Sequence, residues 1–179
     1  SLADCQNSDP PAYHRHAPSS VDFSCPFVAE LQNARVAGED AIVITAGKEL
    51  VLESLYNGNQ TVSNPGGKLS TLKNIFSDVA ARGGEEINED DTEVYCPLVN
   101  NWSHGYFHWM LDCLPKIEHL QYYEKVTGHK PTVLVSSDPP QWKVDSLEAV
   151  GYSRSDWEEW EGGCRTFDRV VVPSLPRLG

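Results

Sequence analysis

No run of apolar residues in this sequence approaches the roughly 18 that a membrane-spanning helix needs. No charged segment followed by a short apolar core marks a secretory leader. The first residue is Ser1, so the expectation is that the true N-terminus lies upstream, together with any signal or anchor. Basic residues are few, 14 Lys and Arg against 26 Asp and Glu. A net charge of −12 repels a phosphate backbone and excludes broad nucleic-acid binding. It suits a very soluble protein, one adapted to salt by composition. Five cysteines (Cys5, Cys25, Cys96, Cys113, Cys164) include no CxxC pair. An odd, scattered set reads as reduced thiols, several of them buried, and not as a disulfide framework. Gly83-Gly84 and Gly162-Gly163 are isolated pairs that read as turns, and neither a P-loop nor GxGxxG is present.

What is there divides the chain into three. Residues 1–26 carry Pro10, Pro11, Pro18 and Pro26 among Ser, Asp and His and read as an irregular lead-in. His14 and His16 within it have no third ligand at fixed spacing and read as solvated loop. Residues 27–100 form a β-rich region. Val28 to Val36, Ile42 to Ile44 and Leu50 to Leu52 are short β-type runs with turns at Gly38-Glu39-Asp40 and Ala46-Gly47-Lys48, an antiparallel meander. Further turns follow at 57–59 and 64–67, then a short helix over 68–82 from three- and four-residue apolar steps. Residues 83–91 form a solvated acidic loop without the alternating ligands of a calcium site. The triplets at Asn59 and Asn101 match glycosylation sequons, which matter only for an exported protein.

Residues 101–179 change character. Val94 to Val99 and Thr132 to Val135 are apolar strands, and Arg169 to Val172 is a third. A helix follows each of the first two, the second capped by Ser136-Ser137-Asp138 and stopped by Gly151. Strand, helix, strand, helix, strand with fully apolar strands predicts a parallel sheet covered by helices.

The first of these helices carries the chemistry. Ser103 is its expected N-cap. At about 100° per residue, Phe107, Met110, Leu111 and Leu114 share a face expected to pack on the sheet. His104, His108 and Asp112 fall at i, i+4 and i+8 on a polar stripe beside it. Pro115 should kink or restart the helix. Polar groups beside a buried face need partners, and three readings follow. His108 and Asp112 bond each other and merely fix the helix. Or the stripe faces a cleft at the strand ends, where ligands of open α/β sheets bind, and a carboxylate-held imidazole serves as general base. Or His104, His108 and Asp112 ligate zinc in a metal-dependent hydrolase.

The stretch from Gly105 to Ile117, with its aromatic-His-Trp, two apolar residues, an acid and Leu-Pro-Lys, resembles the signature of glycosyltransferase family 61 in its prokaryotic branch. The run from Phe27 to Ser54, the segment Trp160-Glu161-Gly162-Gly163 and the run Val170 to Arg177 resemble the family's leading β-region, linker and third strand. The resemblance implies a β-rich N-terminal extension followed by a Rossmann-like parallel-sheet half domain, the N-terminal half of a GT-B-type fold. It implies transfer of a sugar from a nucleotide-sugar donor to an acceptor hydroxyl, with inversion, no essential metal and no cofactor beyond the donor. In the microbial branch the setting is surface polysaccharide synthesis in the cytoplasm, at the membrane surface; in a eukaryote it is the secretory pathway.

His108 and Asp112 match the motif's His and acid and become the expected catalytic pair, with Asp112 itself a second choice of base. His104 is expected at a sugar hydroxyl. Trp109 is expected either to stack on a sugar or to be buried. Arg177 is expected at a phosphate or simply on the surface. Gly105 stands where the motif often has Asn, so whatever that Asn contacts is either missing here or supplied by Asn101. The C-terminal domain that mostly holds the donor is expected to be missing, which leaves this portion inactive by itself. A non-catalytic glycan-binding domain is the rival from another class.

Overall fold

The computed structural model describes residues 27–54, 93–100 and 102–174. The expectations for the lead-in, the 57–67 turns, the 68–82 helix and the acidic loop lie outside the described residues, as do those for Asn101 and Arg177. The protein is α/β, built on a mixed six-stranded sheet. Its strands are β1 (Val28–Ala37), β2 (Ile42–Ile44), β3 (Val94–Pro97), β4 (Thr132–Ser136), β5 (Trp157–Trp160) and β6 (Cys164–Pro173), in the order β2-β1-β6-β3-β4-β5. β6, β3, β4 and β5 run parallel to one another; β1 is antiparallel to both β2 and β6. The expected meander keeps only its first hairpin. Beyond β2, Leu50 makes a single bridge to Ile44, and the chain turns into a 3-10 helix at Leu52–Ser54.

The three parallel strands β3, β4 and β5 are linked by helices. After β3 come α1 (Tyr106–His108), a π-helical stretch (Trp109–Cys113) and α2 (Lys116–Thr127); after β4 comes α3 (Gln141–Ala149). β5 replaces part of what the sequence offers as a linker. Its two tryptophans, three residues apart, point to opposite faces of the sheet, and each is buried in a different core cluster. The cap expected for α3 is absent. Pro139 and Pro140 follow Asp138 directly, and a residue before proline is pushed out of the α region. The helix therefore starts at Gln141 behind Pro140, with no side-chain cap, and Asp138 sits at φ 49°. Gly151, at φ 88°, ends it as expected.

β1 and β5 stand four strands apart, which is about 19 Å in a flat sheet. Yet Trp160 Nε1 donates to Gly38 O at 2.7 Å, and Arg165 on β6 bonds Glu158 on β5 at 3.1 Å. The sheet therefore curls on itself. The bend falls in the β1–β6 ribbon, whose register skips the Asn33–Asp168 pair; Asn33 sits there at φ 53°. The curl also explains how residues 161–163 suffice to join β5 to β6, with Gly162 and Gly163 both at positive φ.

The curl lays β1, β2 and the start of β6 over one face of β3–β5. Val36, Val43, Phe167 and Trp160 form one apolar cluster there with Tyr95 and Leu134. The helices cover the other face with Trp109, Cys113, Ile117, Leu120 and Leu147 against Val133 and Val135. Both faces are sealed, which is why β3 is buried at every residue. The second cover is a β layer where helices alone were expected.

At the end of the sheet where the parallel strands begin, Arg169 forks onto Glu30 (Nε to Oε1 2.9 Å, Nη2 to Oε2 3.2 Å), and the Tyr123 hydroxyl donates to Glu30 Oε2 at 2.6 Å. This ties β1, β6 and α2 together. The bonds from Arg169 and then Tyr123 hold the Glu30 carboxyl below its ordinary 4.5. A lowered carboxyl contributes stability above the unfolded value and loses it as pH falls through the folded one. Melting temperatures measured from pH 7 down to pH 3 should therefore fall more steeply for the wild type than for Glu30→Gln, the two curves converging in acid.

Candidate functional site

The site is built on the chain that leaves β3. Asn100 is buried and pins it: its Oδ1 accepts from Trp102 N at 2.9 Å, its Nδ2 donates to Cys113 Sγ at 3.3 Å, and its carbonyl accepts from Ser103 Oγ at 2.8 Å. Ser103 is therefore spent on the loop, and the helix begins two residues later behind Gly105, without a side-chain cap. Gly105 has an ordinary φ of −86°, so the backbone does not demand glycine there.

The helix then widens. Leu114 N donates to Trp109 O at 2.8 Å, an i→i+5 bond. Pro115 is the cause: it has no N–H to give, and its ring crowds the carbonyl four residues back. π-turns of this kind recur at functional sites. Past Pro115 the chain restarts as α2, as the sequence predicts. The packed face differs from expectation. Trp109 and Cys113 are fully buried, Met110 and Leu114 half-buried, whereas Phe107 (65%) and Leu111 (52%) are exposed. The buried face is thus turned by roughly 70° at 100° per residue. The sequence reading put Phe107, Met110, Leu111 and Leu114 on the packed face, whereas Trp109 and Cys113 form its centre.

The stripe itself holds at two of its three positions. His108 Nδ1 lies 2.8 Å from Asp112 Oδ2, and the two side chains keep 29% and 24% of their exposure. Both lie on the segment that follows the carboxyl end of β3. Where Nδ1 carries the proton, the carboxylate fixes the imidazole in the tautomer that a general base requires. The His108 ring packs against Trp102 (centroids 5.5 Å) and Phe107 (5.4 Å).

His104 is exposed in the turn before α1 and makes no hydrogen bond among the described residues. It does not continue the stripe, which removes the third ligand from the zinc reading. Among the described residues no three His, Cys, Asp or Glu side chains are grouped to hold a metal.

Trp109 has no exposed surface, and its Nε1 donates to Ser146 Oγ at 2.8 Å. Of its two expected fates the structure shows burial, so no sugar ring reaches it. Exposed aromatics beside the pair are Phe107 and Trp102; sequence reasoning passed over Trp102 because it precedes the helix and has no place in its periodicity. Asn100 was not singled out either; the motif's Asn was sought at Asn101.

Beneath Trp109 lies Lys143. It is fully buried, with Nζ 2.8 Å from Ser136 Oγ and 4.7 Å from the Trp109 ring centroid. Among the described residues no carboxylate comes within salt-bridge reach of it. Burial pushes the lysine below its ordinary 10.5, and the same burial raises Cys113 to about 11, keeping it an inert thiol at neutral pH. A lowered lysine penalises the fold below its folded value, and the penalty is relieved as pH rises from there toward 10.5. Lys143→Met should therefore melt at or above the wild-type temperature at pH 7, and the gap should close by pH 10. Circular dichroism melts of the two proteins at both pH values check this.

No family model, no curated protein and no solved structure matches this chain.

Proposed function

We propose that this chain is the acceptor-side portion of an inverting glycosyltransferase, the Rossmann-like N-terminal half of a GT-B-type enzyme of the family 61 kind. It would act in glycan or surface polysaccharide synthesis, with the donor domain supplied by a further part of the gene product. The observation that carries the reading is the His108–Asp112 pair, 2.8 Å apart and still partly open to solvent on the segment that follows the carboxyl end of β3.

The step is a direct displacement. The acceptor hydroxyl oxygen forms a bond to the anomeric carbon of the donor sugar as His108 Nε2 takes its proton. The bond from the anomeric carbon to the phosphate oxygen breaks, and the nucleoside diphosphate leaves with the electron pair. Asp112 fixes the imidazole tautomer and stabilises the imidazolium that forms. Attack from the face opposite the leaving group inverts the anomeric centre. Charge on the departing diphosphate is met by the donor domain; no Lys or Arg lies in residues 98–115.

The test incubates the full-length gene product with a panel of nucleotide sugars and neutral saccharides and follows nucleoside diphosphate release. Release that depends on both donor and acceptor supports the reading. No release with any pair, from a folded protein, favours a glycan-binding domain, to which the exposed aromatics around His108 are equally suited.

A further inference from the structure

We propose that Trp102 is the stacking wall of a subsite for a neutral pyranose of the acceptor, with His108 beside it to receive a hydroxyl. The place of this subsite in a reaction rests on the transferase reading above; the binding itself does not.

Trp102 is 45% exposed, an expensive position for the largest apolar side chain. Nothing leaves it there by slack. Its N–H is fixed on Asn100 Oδ1 at 2.9 Å, its carbonyl accepts from Gly105 N at 2.9 Å, and Ser103 on its C-terminal side is tied to Asn100 O. The backbone that carries the ring is therefore fixed, and it presents the indole to water at a set place beside His108. Its plane tilts 34° from that of His108 at 5.5 Å between centroids, so ring face and imidazole border one site.

The neighbourhood is not an ordinary surface. Among the described residues seven large apolar side chains are exposed, and four of them (Trp102, Tyr106, Phe107, Leu111) lie within residues 102–111 around the His–Asp pair. A concentration of this kind marks an interaction site. Two features choose the occupant. First, the Trp102 and Phe107 rings sit directly against the imidazole of His108, which Asp112 in turn bonds. A pyranose presents that combination: a face of C–H groups that lies on a π-surface and an equatorial rim of hydroxyls. Second, residues 98–115 contain no Lys or Arg, Asp112 is their sole acidic residue, and the whole chain carries −12. That field repels a phosphate or an acidic sugar and admits a neutral one. The subsite is therefore for the acceptor sugar and not for the donor's diphosphate.

The test is ligand-detected NMR on the full-length gene product, without nucleotide sugar. The probes are the methyl α- and β-pyranosides of glucose, galactose, mannose, xylose and N-acetylglucosamine. Expected is saturation transfer to at least one probe, strongest at the C–H protons of one ring face. Trp102→Ala should weaken it at least tenfold and Trp102→Phe should restore most of it, with melting temperatures of both variants near the wild type. No saturation transfer to any probe, or equal transfer in Trp102→Ala, overturns the subsite. So does Trp102-dependent binding of phosphatidylcholine vesicles in place of sugars. Sugar binding without donor turnover leaves the subsite standing and removes the transferase. Donor turnover whose acceptor KM is unchanged in Trp102→Ala does the reverse.

Discussion

Replacing His108 with alanine should lower kcat for sugar transfer by about 10²- to 10⁴-fold, the usual contribution of a positioned general base, while leaving the protein folded. The two readings of the His108–Asp112 pair separate cleanly on magnitude. As a purely structural i,i+4 contact on a helix surface, the pair is worth about 0.2–0.5 kcal/mol. Its loss would then be a small shift in melting temperature with turnover intact. As a base and its orienter, the pair carries several kcal/mol of transition-state free energy and almost none of the fold. Both side chains keep about a quarter of their exposure, so truncating His108 opens no cavity in the core. Added imidazole should restore part of the lost rate by occupying the space vacated beside Asp112. Steady-state kinetics with and without imidazole, alongside a thermal melt, check the expectation.

The second large effect falls on the next residue and has the opposite character. Trp109→Ala should cost about 3–5 kcal/mol, the range for removing a fully buried aromatic ring. That is a large share of the roughly 5–15 kcal/mol that holds a domain together. Three losses add up. The ring leaves the centre of the helix-side core, Ser146 Oγ loses its indole donor, and the buried Lys143 ammonium loses the π-face 4.7 Å away. Trp109→Phe keeps most of the volume and should cost much less. Trp102→Ala, whose ring stands nearly half in water, should cost less again. Urea denaturation with the slope held common among the variants reads all three. His108 and Trp109 are adjacent in the chain, yet one should fail in activity and the other in stability. A quarter-turn of the helix separates the two outcomes.

The legible part of the fold was what period and composition carry. Apolar runs marked β1, β2, β3, β4 and the second half of β6; a helix was expected after β3 and another after β4, where α1, α2 and α3 lie; Gly151 and Pro115 marked a stop and a restart. What escaped depends on contacts remote in sequence. β5 is four residues, Trp-Glu-Glu-Trp, too short to show a period, and is a strand because β4 pairs with it. The curl needs Asn33 at positive φ opposite Asp168, and no local propensity announces that. The caps failed where a stronger local demand took the residue: Ser103 by Asn100, and Asp138 by the prolines behind it.

The site was legible in the same measure. Spacing brought His108 and Asp112 together, because four residues along a helix is a contact whatever surrounds it. The same spacing overreached to His104, since the helix starts after it. It could not show that the π-turn before Pro115 buries Trp109 and leaves Phe107 and Leu111 in water. Asn100 and Trp102 lie in the loop ahead of the helix, where no periodicity applies, and the structure alone shows them gathered at the pair.

The most direct test of the pair as the base of a sugar transfer is the initial rate of acceptor glycosylation by Asp112→Asn against wild type, in the full-length gene product. Asparagine keeps the shape of the side chain and removes the charge that stabilises an imidazolium. The account predicts an inverted product from the wild type and a rate at least 10²-fold lower from the variant, with both melting within a few degrees of each other. A variant that transfers sugar at the wild-type rate would contradict it.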